Sequence, residues 1–158
     1  MRIISVRITK ENKVSIQYHV KNNSSWDEFS MTSCDAPLQS FINALDSLKE
    51  EVVKMCEFPE KDKDSIIVRG VTYSYGGDNE TMGATIIAQK KLLRSNSNLN
   101  INTPHKASDY YSGGDNGDPN QLLSHECVGA LNDVMDECEK YINGERQQLQ
   151  LDLKPKPE

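Results

Sequence analysis

Ile4-Ser5-Val6-Arg7-Ile8, followed after Lys10-Glu11-Asn12-Lys13 by Val14-Ser15-Ile16-Gln17-Tyr18-His19-Val20, decides the fold class. Apolar side chains fall on every second residue in both stretches, the period of a strand with one buried face. The polar tetrapeptide between them reads as a hairpin connection, so the chain opens with two antiparallel strands. Residues 26–31, entered from the Asn22-Asn23-Ser24-Ser25 turn, predict a third. On this parity Ile4, Val6 and Ile8 face the core and His19 faces solvent.

The period then changes. Leu38, Phe41, Ile42, Leu45, Leu48, Val52 and Met55 recur at three- and four-residue steps and predict one amphipathic helix. Asp35 is its expected N-cap, Pro37 suits the first turn, and Phe58-Pro59 closes it. The charged residues 60–64 read as a loop. Ile66, Val68, Val71, Tyr73 and Tyr75 form the next strand, and the change of parity around Gly70 predicts a bulge. Gly76-Gly77-Asp78-Asn79 is turn chemistry, and Met82, Ala84, Ile86 and Ala88 complete a long hairpin over residues 66–92. Residues 95–120 are rich in Ser, Asn, Gly and Asp and read as a long polar loop. Val128, Leu131, Met135, Cys138 and Ile142 stripe a last helix over about residues 124–143, with Gly144 as its left-handed cap. The expected fold is α+β: an antiparallel sheet of four to five strands and two amphipathic helices in the order βββ-α-ββ-α. It occupies residues 1–144 as one domain, and residues 145–158 read as a flexible tail.

A chain of 158 residues suits one domain. Its 36% hydrophobic content and mean hydropathy of −0.65 imply a modest core with much solvated surface. The net charge of −6, from 24 acids against 18 Lys and Arg, argues against general DNA binding, which needs clustered positive charge to displace counterions. The charge is uneven, however. Residues 1–22 hold Arg2, Arg7, Lys10, Lys13 and Lys21 against Glu11 alone, which leaves room for a local basic face. Cys34, Cys56, Cys127 and Cys138 form no Cys-x-x-Cys pair and no zinc spacing. No basic-then-apolar leader precedes the first strand, and no apolar run approaches the ~18 residues of a membrane span. A cytoplasmic chain with reduced thiols and no membrane partner is the expectation.

No catalytic constellation emerges. His125 and Cys127 are two residues apart on a helix and point to different sides, so they cannot form a nucleophilic pair. Cys127 and Cys138 read as buried structural thiols. The acidic loop over residues 109–118 lacks the alternating Asp spacing and closing Glu of a calcium loop. Gly76 and Gly77 join two strands, not a strand and a helix, so they make a turn and not a dinucleotide cradle. A non-enzymatic binding protein without cofactor or metal is the expectation. Its candidate ligand- or phosphate-binding residues are Lys90, Lys91, Arg94, Asn102 and His105, in a stretch dense in side-chain amides and hydroxyls. The competing reading is a polar loop bonded to its own backbone. Should Lys106 converge with Lys90, Lys91 and Arg94, an anion could be held. Tyr110 and Tyr111 are the aromatic residues close enough in sequence to stack bases, so nucleic-acid binding is expected to be weak at most.

Val68-Arg69-Gly70-Val71, Lys91-Leu92-Leu93, Ser97-Asn98-Leu99, Asn102-Thr103-Pro104-His105 and Tyr141-Ile142-Asn143-Gly144-Glu145-Arg146 with Gln148 together resemble small proteins of phages and prophages. The resemblance spans most of residues 64–150 and implies a phage accessory protein in a bacterial cytoplasm, with no activity attached. Gln148-Leu149-Gln150-Leu151-Asp152-Leu153 is similar to the Gln-Leu-x-Leu-x-Leu peptides that bind bacterial sliding clamps. In that mode Gln148 hydrogen-bonds at one subsite while Leu149, Leu151 and Leu153 fill an apolar pocket. Alternatively these leucines pack back on the sheet as an edge strand. The leading functional expectation is therefore an interaction protein engaging the sliding clamp, and the alternative a nucleotide-binding scavenger acting through residues 90–106.

Overall fold

The computed structural model describes residues 1–109 and 119–147. β1 (Arg2–Ile8), β2 (Val14–Asn22) and β3 (Ser25–Ser33) form a meander, followed by α1 (Gln39–Asp46), α2 (Lys49–Met55) and a 3-10 turn over Glu60–Ser65. β4 (Ile66–Gly76) and β5 (Thr81–Lys90) make the long hairpin, and β6 (Leu99–Asn102), β7 (Lys106–Ala107), a short 3-10 turn (Pro119–Gln121) and α3 (His125–Ile142) complete the chain. The fold is α+β. Among the described residues its antiparallel sheet has seven strands, ordered β3-β2-β1-β4-β5-β6 with β7 also on β5, which is more than the four or five expected. Three helices lie on one face, against β1 and β4 at its centre.

The extra strands come from the stretch read as a polar loop. β6 pairs with β5 from Ile87↔Asn102 to Lys90↔Leu99, yet only Ile101 of its residues is buried. Thr103 continues the contact: its N–H donates to the Ile86 carbonyl, and its Oγ1 accepts from the Ile86 N–H at 2.9 Å. A strand held by backbone bonds and one hydroxyl leaves no alternation to read. Residues 110–118 of that stretch, including Tyr110 and Tyr111, lie outside the described residues, as do residues 148–158.

Three further expectations change. The helix expected over residues 38–55 is two helices. Ser47 Oγ donates to the Ala44 carbonyl at 2.7 Å, and the Leu48 N–H bonds to Leu45 in a tightened turn. Leu48 and Val52 still reach the core, whereas Ile42 is exposed. The N-cap of α1 is Leu38 with no side-chain cap bond; Asp35 lies three residues upstream, where its carboxylate pairs with Arg146. In β1 a register shift at Ile4 places Ile3, not Ile4, in the core with Val6. The bulge expected at Gly70 is present, as a register shift between Val68 and Gly70. A Cβ at Gly70 would sit 2.2 Å from the Val6 carbonyl oxygen, so the close β1–β4 approach requires glycine there.

The core joins Ile3, Val6, Val14 and Ile16 with Val71, Tyr73 and Ile86 under Phe41, Leu45, Val52, Leu131 and Val134. Tyr73 donates from its hydroxyl to the Leu131 carbonyl, which pins β4 to α3. Past Gly144, which has φ +96°, the chain stays on the domain. Arg146 bridges Pro37 and the Gln147 N–H donates to the Ala36 carbonyl, so the anchored chain extends beyond the expected boundary at 144.

Candidate functional site

The helices cover one face of the sheet, and the opposite face is built of short polar side chains. The same pairing that directs Val6, Ile16, Val71 and Ile86 to the core directs Ser5, Arg7, Ser15, Gln17, Thr72 and Thr85 away from it. β1 pairs with β4 only from Ser5↔Thr72 to Arg7↔Gly70. Beyond Arg7 the two strands part, and the bulge at Arg69 widens the gap. A groove of about 470 Å³ opens there between the end of β1 and the β4–β5–β6 edge.

Arg7, Lys10 and Arg69 line this groove together with the amides Gln89, Asn100 and Asn102. Its apolar lining is Ile8, Ile87, Ala88 and Ile101, and among the described residues no acidic side chain lines it. Arg69 Nε donates to Gln89 Oε1 at 3.4 Å, and Gln89 is held in turn by Asn98 and Asn100. This network orients the guanidinium and leaves its terminal nitrogens for a ligand. Among the described residues Arg7, Lys10 and Arg69 form no ion pair, whereas Arg2, Lys13, Lys49, Lys54 and Lys63 do. Three cations without counterions beside amides and an aliphatic floor make a site for an anion that also carries a flat, hydrogen-bonding body. By contrast, the concavity between α1 and α3 is lined by Asp133, Asp136 and Glu137.

The residues expected from sequence divide. Asn102 lines the groove. His105 lies elsewhere on the open face, where its Nε2 is 2.7 Å from Ser74 Oγ above Gly83. Lys90, Lys91 and Arg94 leave β5 at its far end beside a fully exposed Leu93. Lys106 pairs with Ala84 and donates to the Asn120 carbonyl, six residues along β5 from Lys90, about 20 Å at strand rise. The four cations therefore do not converge. Gln148, Leu149, Leu151 and Leu153 lie outside the described residues. Sequence reasoning did not single out Arg69, Gln89 or Asn100. Arg7 and Lys10 carried a trace, as part of the basic excess in residues 1–22.

The buried thiols Cys127 and Cys138 are poor nucleophiles. Burial pushes Cys127 up to about 12 and Cys138 upward as well, so both stay protonated near neutral pH. Among the described residues no cluster of three or more His, Cys, Asp or Glu side chains is placed to hold a metal, and no helix is long and apolar enough to cross a membrane. Comparison of the chain with protein-family models, curated proteins and solved structures returns no match.

Proposed function

We propose that the protein is a non-enzymatic binding protein that takes a nucleotide-class anion in the groove between β1 and the β4–β5–β6 edge. The observation that carries this is that, among the described residues, the trio Arg7, Lys10 and Arg69 is unpaired around an acid-free groove. Guanidinium groups match phosphate in a bidentate fork, Gln89, Asn100 and Asn102 supply donors and acceptors for a base edge, and Ile87 offers an apolar floor. The volume falls within the roughly 300–1,000 Å³ of small-ligand sites. The nucleotide-binding role expected for residues 90–106 thus keeps Asn102 and gains partners from β1 and β4. A phage accessory role in a bacterial host is the context that the sequence resemblance supports.

Thermal shift against a nucleotide panel tests the reading. A ligand at about 100 times its Kd stabilises by about 2.7 kcal/mol, a rise of several degrees. Arg7→Ala with Arg69→Ala should abolish the rise while leaving the unliganded melting temperature nearly unchanged. A panel without any shift overturns the proposal.

A second reading rests on Gln148-Leu149-Gln150-Leu151-Asp152-Leu153, which follows directly on Gln147, the last described residue. A synthetic peptide of residues 146–156 should bind a bacterial sliding clamp at micromolar affinity, and its Gln148→Ala, Leu151→Ala form should not. In the full chain that double variant should leave the melting temperature unchanged. A drop of several degrees would mean that the leucines pack on the domain instead.

A further inference from the structure

We propose that the ligand is a phosphodiester-linked chain of at least two nucleotides laid along the open face of the sheet, an inference that rests on the groove reading above. A second cavity, of about 300 Å³, adjoins the groove and shares Arg7 and Ile87 with it. It runs across β1 toward β2, where Ser5, Ser15, Gln17 and Thr72 line it. The two cavities form one track with Arg7 at the junction, and Lys10 and Arg69 in one arm only.

The chemistry of the two arms differs in a way that suits two linked nucleotides. The first arm is cationic and holds one phosphate between Lys10 and Arg69, the terminal one of a linear dinucleotide or the second bridging one of a cyclic dinucleotide. Arg7, at the junction, meets the linking phosphate. Among the described residues the second arm has no charged side chain besides Arg7, and its hydroxyls and amide suit a sugar and a base edge. Gln17 Oε1 already accepts from Ser5 Oγ at 3.3 Å, which leaves its amide N–H groups to donate. A mononucleotide fills one arm and leaves the other solvated.

Length is bounded from above as well. Among the described residues no aromatic side chain lines either arm, so these residues offer no stacking platform of the kind that holds long single strands without regard to sequence. The net charge of −6 repels a polyanion beyond the track. Contact with two or three phosphates implies a log–log salt slope of about −1.4 to −2.1, far shallower than for an extended nucleic-acid interface.

Isothermal titration of the full chain with inorganic phosphate, AMP, linear pApA, cyclic di-AMP and a short DNA duplex tests this. Both dinucleotides, or the one of them whose shape fits, should bind at least tenfold tighter than AMP. Tighter binding of the cyclic compound identifies a signalling dinucleotide as the source, and tighter binding of the linear one a nucleic-acid fragment. Gln17→Ala, in the second arm alone, should remove most of the dinucleotide advantage and leave AMP binding unchanged. Equal affinity for AMP and both dinucleotides overturns this inference and leaves the groove reading standing, as does a Gln17→Ala loss shared equally by AMP. Tighter binding of the duplex than of either dinucleotide also overturns it. Absence of binding by every compound overturns both.

Discussion

Arg146 Nη1 lies 2.9 Å from Asp35 Oδ2 and ties the exit of α3 to the segment that enters α1. The Arg146 guanidinium also sits 4.2 Å from the Tyr141 ring centroid, and its Nε donates to the Tyr141 carbonyl. The Tyr141 hydroxyl donates to the Asp35 carbonyl at 2.7 Å, so three side chains close a ring across 106 residues of sequence separation. The Gly-Glu-Arg sequence that ends the last helix is thus a staple between the helical layer and the β3 side of the molecule.

Arg146→Ala should therefore destabilise the fold by about 1–2 kcal/mol, from a half-exposed ion pair and a cation–π contact together. At about 2–4 °C per kcal/mol for a domain of this size, the melting temperature falls by about 2–8 °C. Asp35→Asn should cost less, since Asn keeps an acceptor for the guanidinium. A double-mutant cycle with a coupling of about 0.5 kcal/mol fits the staple, and zero coupling rules out direct contact in solution.

Two helices end in the same hydrogen-bond pattern with different residues at its left-handed position. After α2 the Phe58 N–H bonds to Val53 and the Glu57 N–H to Lys54, with Glu57 at φ +56°. After α3 the Glu145 N–H bonds to Lys140 and the Gly144 N–H to Tyr141, with Gly144 at φ +96°. Such a cap suits glycine, because a Cβ there crowds the following carbonyl at a cost of about 1–2 kcal/mol. Glu57→Gly should stabilise by about 0.5–1 kcal/mol, part of the relieved strain being offset by added freedom in the unfolded chain. Gly144→Ala should destabilise by about 1 kcal/mol. Urea midpoints should move in opposite directions with the m-value unchanged.

Much of the fold was legible where one period ran without interruption. The β4–β5 hairpin and the bulge at Gly70 follow directly from apolar spacing, whereas the stripe of α3 was read one position off: Leu131 and Cys138 are buried as expected, but Val128, Met135 and Ile142 are only half-buried and Cys127, Val134 and Tyr141 fill the core beside them. The bulge at Ile4 was not legible, because Ile3 and Ile4 are both apolar and either parity satisfies the pattern. Nor was the break at Ser47, since the helical stripe runs on through Leu48 and Val52. β6 escaped because Asn-Ile-Asn has one core side chain and two amides. The groove was least legible of all. Arg7 and Arg69 meet through the β1–β4 pairing, which joins the first strand to the fourth, and nothing local to either residue announces that crossing.

Leu45 and Leu131 are both buried, on α1 and α3 respectively, as the helical spacing predicts. Leu45→Ala or Leu131→Ala should cost about 2–5 kcal/mol, through lost transfer energy and the cavity left behind. Ile42 belongs to the same sequence stripe as Leu45 but is exposed, so Ile42→Ser should change stability by less than about 0.5 kcal/mol. Chemical denaturation of the three variants separates the true core face from the sequence stripe, and a large loss at Ile42 would mean that this helix face is covered in solution.

Alkaline pH should unfold the protein earlier than the exposed surface alone would suggest. Burial raises Tyr73 well above its ordinary value of 10.0, pushes Tyr75 up to about 12, and raises Cys127 from 9.0 to about 12. In each case the folded state keeps a proton that the unfolded state gives up. Their contribution is therefore fully present below the unfolded values and is lost as pH rises from 9.0 to about 12 for Cys127, from 10.0 to about 12 for Tyr75, and from 10.0 upward for Tyr73. Each such group takes about 1.4 kcal/mol per pH unit once its unfolded form is ionised and its folded form is not. Urea midpoints measured from pH 8 to 11 should be level at first and then fall with increasing slope. Tyr73→Phe loses the hydroxyl bond to Leu131, so it should be less stable at pH 8 by about 1 kcal/mol. It should also decline less steeply above pH 10, because one ionising group is gone. A Tyr73→Phe curve parallel to the wild-type curve throughout would show that this hydroxyl is not held protonated by burial.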